Sequence, residues 1–207
     1  MFFHLNHWEE PFPCGLDPQK VRAAFSHLAP LETPHLLLRR VRRTDAPDLY
    51  RYGANPRVTR YVLWDAYTRP QEAREYVRYL RSLYREGEPA SLVLEHKADH
   101  CVMGTIGFND WIFAHATAEI GYSLAEPYWG KGLATEAVDA FTRFAWSLGF
   151  HRLEAMHDLR NPASGRVLEK CGYTREGVLR GRIYNKGEWC DVAFYACLCP
   201  DAPPGFA

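Results

Sequence analysis

The chain has 207 residues, 47% of them hydrophobic, and 25 Lys plus Arg balance 25 Asp plus Glu. That length suits one domain with a full core, and the balanced charge leaves no basic field for nucleic acid and no acidic tail. No apolar run approaches the roughly 20 residues that span a bilayer, so no membrane segment is expected. Residues 1–30 read as an N-terminal extension with Pro11, Pro13, Pro18 and Pro30 and a short helix around Gln19–His27. Its first ten residues lack the charged and apolar regions of a signal peptide, and the six cysteines form no spaced framework. A cytoplasmic protein with reduced thiols is the expectation. Cys197-Leu198-Cys199 has no second ligand pair, so no metal site is expected.

Leu36–Val41 reads as the first strand of a domain over 31–200, with 201–207 as a tail. Thr44 offers an N-cap for a helix over Ala46–Gly53, halted by Asn55-Pro56. A second helix opens at Thr68, with Gln71 as capping-box partner and Pro70 in its first turn. Its apolar stripe is Ala73, Tyr76, Val77, Leu80, Leu83 and Tyr84, and Gly87 closes it. The arginines Arg74, Arg78, Arg81 and Arg85 read as its solvated face. Strands follow at Ser91–His96, Val102–Asn109 and Ala118–Leu124. A Gly-rich turn leads into a helix whose apolar residues run Leu133, Ala137, Phe141, Phe144, Ala145 and Leu148. A strand at Arg152–Asp158, a short helix at Pro162–Cys171 and two strands, Tyr173–Arg180 and Trp189–Cys197, complete the chain; a turn at Asn185-Lys186-Gly187 joins the last two.

The turn Tyr128-Trp129-Gly130-Lys131-Gly132-Leu133-Ala134-Thr135 is the most informative stretch. Strand, glycine turn and helix in that order aim unpaired N–H groups and the positive end of a helix dipole at one point, which suits phosphate. Thr135 adds a hydroxyl donor. The pattern is neither a P-loop nor a dinucleotide fingerprint. A mixed α/β (α+β) sheet with helices on both faces buries this order of elements best. The helix between Leu124 and Arg152 then joins two parallel strands and sets the turn at a carboxyl end of the sheet. If those strands splay after their first pairs, their free N–H and C=O groups form a slot for an amide-rich arm. Phosphate at one end and a peptide-like arm at the other describe coenzyme A.

Several ordered motifs carry a resemblance: Leu36-Leu37-Leu38-Arg39, Val102-Met103-Gly104-Thr105-Ile106-Gly107-Phe108, Ala118-Glu119-Ile120-Gly121-Tyr122, the glycine turn, Asn161–Tyr173, and Gly187-Glu188-Trp189-Cys190-Asp191-Val192 with Tyr195. On these the chain resembles the GNAT acetyltransferase superfamily and, within it, the RimJ/RimL branch of protein N-terminal acetyltransferases. The resemblance implies a mostly antiparallel twisted sheet with a splayed central strand pair. It also implies acetyl-CoA as co-substrate and direct attack by an amine in a ternary complex. The family's pyrophosphate loop falls on Trp129, Gly130, Lys131, Gly132, Leu133 and Ala134, with Trp129 replacing its usual first residue. Asn161 matches a pantetheine-binding asparagine, and Ser164 a serine that protonates the departing thiolate. The more widespread tyrosine acid falls on Leu168, and a glutamate base of some relatives near Ile183.

The chemistry needs a base for the amine and a donor for the thiolate. Glu119 is the leading base, its rival role being a structural carboxylate paired to an arginine. Tyr122 and neighbouring N–H groups, with Ile120 beside the cofactor, could polarise the thioester carbonyl, and Gly121 reads as a bulge. Asp191 is assigned to amine or water contact, with a salt bridge to Arg180 or Arg182 as its rival. His151 and His157 flank one strand and read first as structural. Trp64, Tyr67, Trp111 and Phe113 in loops point to an apolar acceptor pocket or a partner surface. The acceptor expected is the α-amino group of a protein or peptide; a small amine, or a CoA-binding sensor without catalysis, is the alternative. A homodimer is left open.

Overall fold

The computed structural model describes residues 15–200. Residues 1–14 and 201–207, with Pro11 and Pro13 of the expected extension and the whole tail, lie outside them. Helix α1 (Pro18–His27) is capped by Asp17, whose carboxylate accepts from Gln19 N–H at 2.8 Å. It is part of the core: Leu16, Val21 and Phe25 are fully buried. The Phe25 ring lies 6.0 Å from Phe108 and 5.8 Å from Phe144.

A short strand β1 (Leu31–Glu32), too brief for any pattern to announce, leads to β2 (Leu36–Arg39). Helix α2 runs Ala46–Gly53 as expected, yet Thr44 is not its cap. Asp45 closes the tight turn before it by accepting from Arg42 N–H at 2.6 Å and takes both amino groups of Arg39 at 2.8 and 3.0 Å. Arg39 is 5% exposed and also bonds Glu95, so a buried cation is fully paired. The Asn55-Pro56 stop instead opens a one-turn helix, α3 (Pro56–Thr59). Helix α4 spans Pro70–Glu86 and ends on left-handed Gly87. Its cap partner is Glu72 rather than Gln71: the carboxylate accepts from Thr68 N–H at 2.7 Å and Arg69 N–H at 2.9 Å. A charged acceptor at the positive end of the helix outcompetes a neutral amide one residue earlier.

The remaining elements are β3 (Leu92–His96), β4 (Cys101–Ile112), β5 (Thr117–Leu124), α5 (Leu133–Leu148), β6 (Arg152–Asp158), α6 (Pro162–Lys170), β7 (Thr174–Asn185) and β8 (Glu188–Leu198). They form one eight-stranded sheet in the order β1-β2-β3-β4-β5-β6-β8-β7. Every neighbouring pair is antiparallel except β5 and β6. The β7–β8 hairpin turns at 185–187 as expected, with β7 running on to Asn185, five residues past its expected end at Arg180. Its two-residue turn has positive φ at Lys186 (49°) and Gly187 (89°), the handedness that matches strand twist.

Gly121 is not a bulge. It pairs regularly with Gly107, and the register slips on β4 instead, at Asn109, between Phe108↔Ile120 and Asp110↔Glu119. Gly121 leaves room for Asn109 in its observed position, where a Cβ would lie 2.5 Å from Asn109 Oδ1. The core on the α5 side is aromatic: Phe108 sits 5.0 Å from both Phe141 and Phe150. On the other face, α2 packs onto β4, and the Tyr52 hydroxyl lies 3.3 Å from Thr105 Oγ1 and 3.2 Å from Ser123 Oγ.

Candidate active site

Strands β5 and β6 pair over three positions alone: Thr117↔Arg152, Ala118↔Leu153 and Glu119↔Glu154. Beyond them β5 stays with β4 as far as Leu124, while β6 stays with β8 as far as Asp158. Sheet twist carries the two strands apart, and among the described residues their facing edges from Ile120 and Ala155 onward have no strand partner. Side-chain alternation divides the residues between the two faces. Ile120 and Tyr122 look toward α5 and α6; Glu119, Gly121 and Ser123 look toward α2 and α4.

The glycine turn lies where β5 ends. Gly130 (φ 73°) and Gly132 (φ 81°) are left-handed, and a Cβ at either would meet nothing within 4 Å. Backbone handedness, not crowding, therefore demands glycine there. Gly132 is the N-cap of α5 and brings no side-chain cap. The first helical bond runs from Glu136 N–H to Gly132 C=O at 3.0 Å, so the N–H groups of Leu133, Ala134 and Thr135 point out of the helix end. Trp129, which replaces the usual residue of the loop, donates its indole N–H to Leu124 C=O at 2.8 Å and ties the turn to the strand. The Lys131 ammonium stands 5.5 Å from the Tyr128 ring centroid, exposed beside the turn. Glu136, the acid in this first turn, is drawn aside by His35, whose N–H and Nδ1 each lie 2.8 Å from its carboxylate.

Helix α6 closes the slot on the Tyr122 face. The Tyr122 hydroxyl lies 2.8 Å from Ser164 Oγ and donates to Ser164 C=O at 3.0 Å, bridging β5 to the helix packed on β6. Burial pushes the Tyr122 phenol well above its ordinary value, with the Ser164 bond acting against it. Asn161 is the N-cap residue, yet its side chain does not cap the helix. Leu168 is fully buried in the core. His157 reaches the same helix: its Nδ1 lies 2.8 Å from Asp158 C=O, and its buried Nε2 has no hydrogen-bond partner among the described residues. A Cβ on Gly165 would come within 2.7 Å of that nitrogen.

On the opposite face Glu119 is half-buried and accepts from Asn109 Nδ2 at 2.9 Å. Burial holds its carboxyl above the usual range; Asn109 opposes this, and the charges of Asp110 and Glu154 add to it. The rival reading required an arginine partner. Arg152 instead bonds Glu154 at 2.6 Å and Glu176 at 2.9 Å, and Arg182 acts on Glu119 only as a nearby charge. Asp191 is exposed and accepts from Gly181 N–H at 2.7 Å, holding the bulge of residues 180–182 rather than an ion pair with Arg180 or Arg182.

The aromatic loop residues divide. Phe113 is core, and Trp111 lies 6.3 Å from it. Trp64 packs 5.9 Å from Tyr52 and 5.7 Å from Tyr67, over the Glu119 face. Lys186 Nζ, at the hairpin tip, donates to Val62 C=O at 2.7 Å and joins that loop to β7–β8. Leu63, Tyr184 and Trp189 stand 69%, 60% and 70% exposed around the junction. Two features escaped sequence reading: the Asn109 contact to Glu119 and the Tyr122–Ser164 bridge. The glycine pair Gly107–Gly121 hinted at close approach for the first, and nothing in the chain pattern marked the second. Among the described residues no helix is long and apolar enough to cross a membrane, and no three His, Cys, Asp or Glu gather as a metal site.

The model of the acetyltransferase (GNAT) domain matches residues 35–174. An uncharacterized N-acetyltransferase of Bacillus licheniformis is 34% identical over 169 residues, 81% of this chain and 95% of that protein. A ribosomal-protein-serine acetyltransferase of Escherichia coli is 30% identical over 135 residues, 64% of this chain and 74% of its own. Among solved structures, a RimL ribosomal alpha-N-protein acetyltransferase in complex with coenzyme A aligns with a TM-score of 0.74 at 23% identity. It covers 82% of this chain and 98% of that one.

Proposed function

Since the chain belongs to the GNAT acetyltransferase family and is an N-acetyltransferase, we propose that it moves the acetyl group of acetyl-CoA to the N-terminal α-amino group of a protein or peptide. The parting of β5 and β6 immediately after Glu119 and Glu154 carries this reading. It opens a slot with a phosphate-binding turn at one end and a basic carboxylate on the far face. The backbone N–H groups of Leu133, Ala134 and Thr135 hold the pyrophosphate, with Gly130, Lys131 and Gly132 shaping the approach. Asn161, whose side chain does not cap α6, offers its amide to the pantetheine arm, and Ile120 lines the slot.

Glu119 takes a proton from the acceptor ammonium, directly or through water. The neutral amine attacks the thioester carbon, the C–N bond forms, and N–H groups freed by the splay receive the carbonyl oxygen's charge. As the C–S bond breaks, the Ser164 hydroxyl protonates the thiolate. Tyr122, its hydroxyl engaged with Ser164, orients that donor. Asp191, whose carboxylate also holds the 180–182 bulge, contributes its charge to binding the acceptor amine or its water. The protein acceptor is supported by the E. coli relative's named activity and by the exposed Leu63, Tyr184 and Trp189 on the acceptor side.

Thiol release from acetyl-CoA, followed with a library of N-terminal peptides and with free amino acids, polyamines and aminoglycosides, tests the acceptor. Turnover with peptides and an acetyl group on the α-nitrogen by mass analysis are expected. Turnover confined to small amines transfers the reading to that class, and CoA binding without turnover indicates a sensor. Ser164→Ala tests the donor. It is expected to leave CoA affinity within about twofold and to lower turnover by roughly ten- to a hundredfold at saturating substrates. A loss of thermal stability with unchanged turnover would make Ser164 a packing residue.

A further inference from the structure

A cleft of about 310 Å³ lies at the opposite end of β2 from the glycine turn, with Arg39, Arg40, Arg42, Arg81, Arg85 and Tyr84 in its wall. His35, before the start of β2, contacts the first turn of α5, so the strand's length of roughly 10 Å separates the two places. Five guanidiniums meet there in a chain whose formal charge is zero. Among the described residues, the carboxylates within salt-bridge distance of these five are those of Asp45 and Glu95. Asp45 and Glu95 both bond the buried Arg39. Arg42 is 62% exposed and reaches no nearer than 3.9 Å to the Glu95 oxygen that Arg39 already holds.

Arg40 is fixed in place: it donates to Ser26 C=O and lies 4.8 Å above the Tyr84 ring. Arg85 donates its Nε to Arg81 C=O at 3.3 Å, and among the described residues neither arginine of that pair has a carboxylate within salt-bridge distance. Like charges gathered on a concave wall raise one another's cost unless an anion enters. Planar guanidinium forks are the side chains that match phosphate oxygens in pairs. We propose that this cleft is a second ligand site, binding a small molecule that carries two or more linked phosphates. Arg40 supplies the preorganised floor, and Arg42, Arg81 and Arg85 form the rim. Its volume suits a di- or triphosphate group, and the neutral chain offers no extended basic track for a long polyanion.

Calorimetric titration of tripolyphosphate into the full chain, with excess CoA present to fill the glycine turn, tests this. One saturable site is expected, weakening as salt rises. Arg81→Gln with Arg85→Gln, both exposed positions, is expected to weaken it by at least tenfold while acetyl transfer and CoA affinity stay unchanged. Absence of saturable binding at millimolar tripolyphosphate overturns the proposal, as does binding that the double variant leaves intact. A single-stranded RNA that binds through Arg81 and Arg85 where tripolyphosphate does not also overturns it.

Discussion

Gly132→Asp is expected to abolish stabilisation by CoA. With ligand a hundredfold above its dissociation constant, the wild-type chain should gain about 2.7 kcal/mol, and the variant nothing measurable. Gly132 is left-handed at φ 81°, and a Cβ there meets no atom within 4 Å, so the substitution costs backbone strain but causes no clash. Asp is among the few residues that tolerate this conformation, at a cost of roughly 1–2 kcal/mol. The carboxylate would stand beside the N–H groups of Leu133, Ala134 and Thr135 and occupy the pyrophosphate's place with like charge. Gly132→Asn separates strain from charge, since it has the same shape and backbone tolerance without the negative charge. It should keep much of the CoA shift. A thermal shift in Gly132→Asp equal to that of the unaltered chain would remove the turn from cofactor binding.

The elements that could be read from the chain are those whose signals are local. Gly130, Gly132 and the apolar spacing from Leu133 to Leu148 specify a turn and a helix without outside help. The crossover through α5 then forces β5 and β6 parallel, and from there the slot followed. Cap chemistry was harder, because Thr44, Asp45, Gln71 and Glu72 are all competent acceptors within two residues of the observed starts. The partner groups decide: Arg39 and Arg42 claim Asp45, while the helix end takes the charged Glu72 over Gln71. Helix α1 looked peripheral because prolines surround it, yet Phe25 completes an aromatic cluster built by residues more than eighty positions later.

The site divides on the same principle. Glu119 could be singled out from its place in a strand about to part from its neighbour. The cause of its raised affinity for protons could not. That cause joins burial with the strand pairings that set Asp110 and Glu154 beside it, and the bond from Asn109 acts against them. Each is a long-range pairing, which single-sequence patterns do not encode. Asp191 shows the same. Its place in an apolar strand is legible, and the bond its carboxylate accepts from Gly181 N–H across a bulge is not.

Glu119→Gln is expected to lower turnover by roughly two to four orders of magnitude, the range for loss of a general base. Glutamine keeps the oxygen that accepts from Asn109 Nδ2, so the local fold should survive. The stability change carries the sign of the pKa shift. The folded-state carboxyl binds its proton more tightly than the unfolded one, so between the ordinary value and the raised one the folded chain holds more protons. Stability contributed by this group is present at low pH and lost as pH rises through that window. The neutral glutamine escapes the loss, and the variant should match or exceed wild-type melting temperature above the window while gaining nothing below it. A structural carboxylate would behave oppositely, costing stability at neutral pH when removed. The rate deficit should shrink at high pH, where free amine no longer needs a base. Asp191→Asn is the control, since its amide oxygen can still accept from Gly181 N–H. It should raise KM for the acceptor more than it lowers kcat. Wild-type turnover and an unchanged pH profile in Glu119→Gln would take Glu119 out of the chemistry and leave proton removal to Asp191, His157 or solvent.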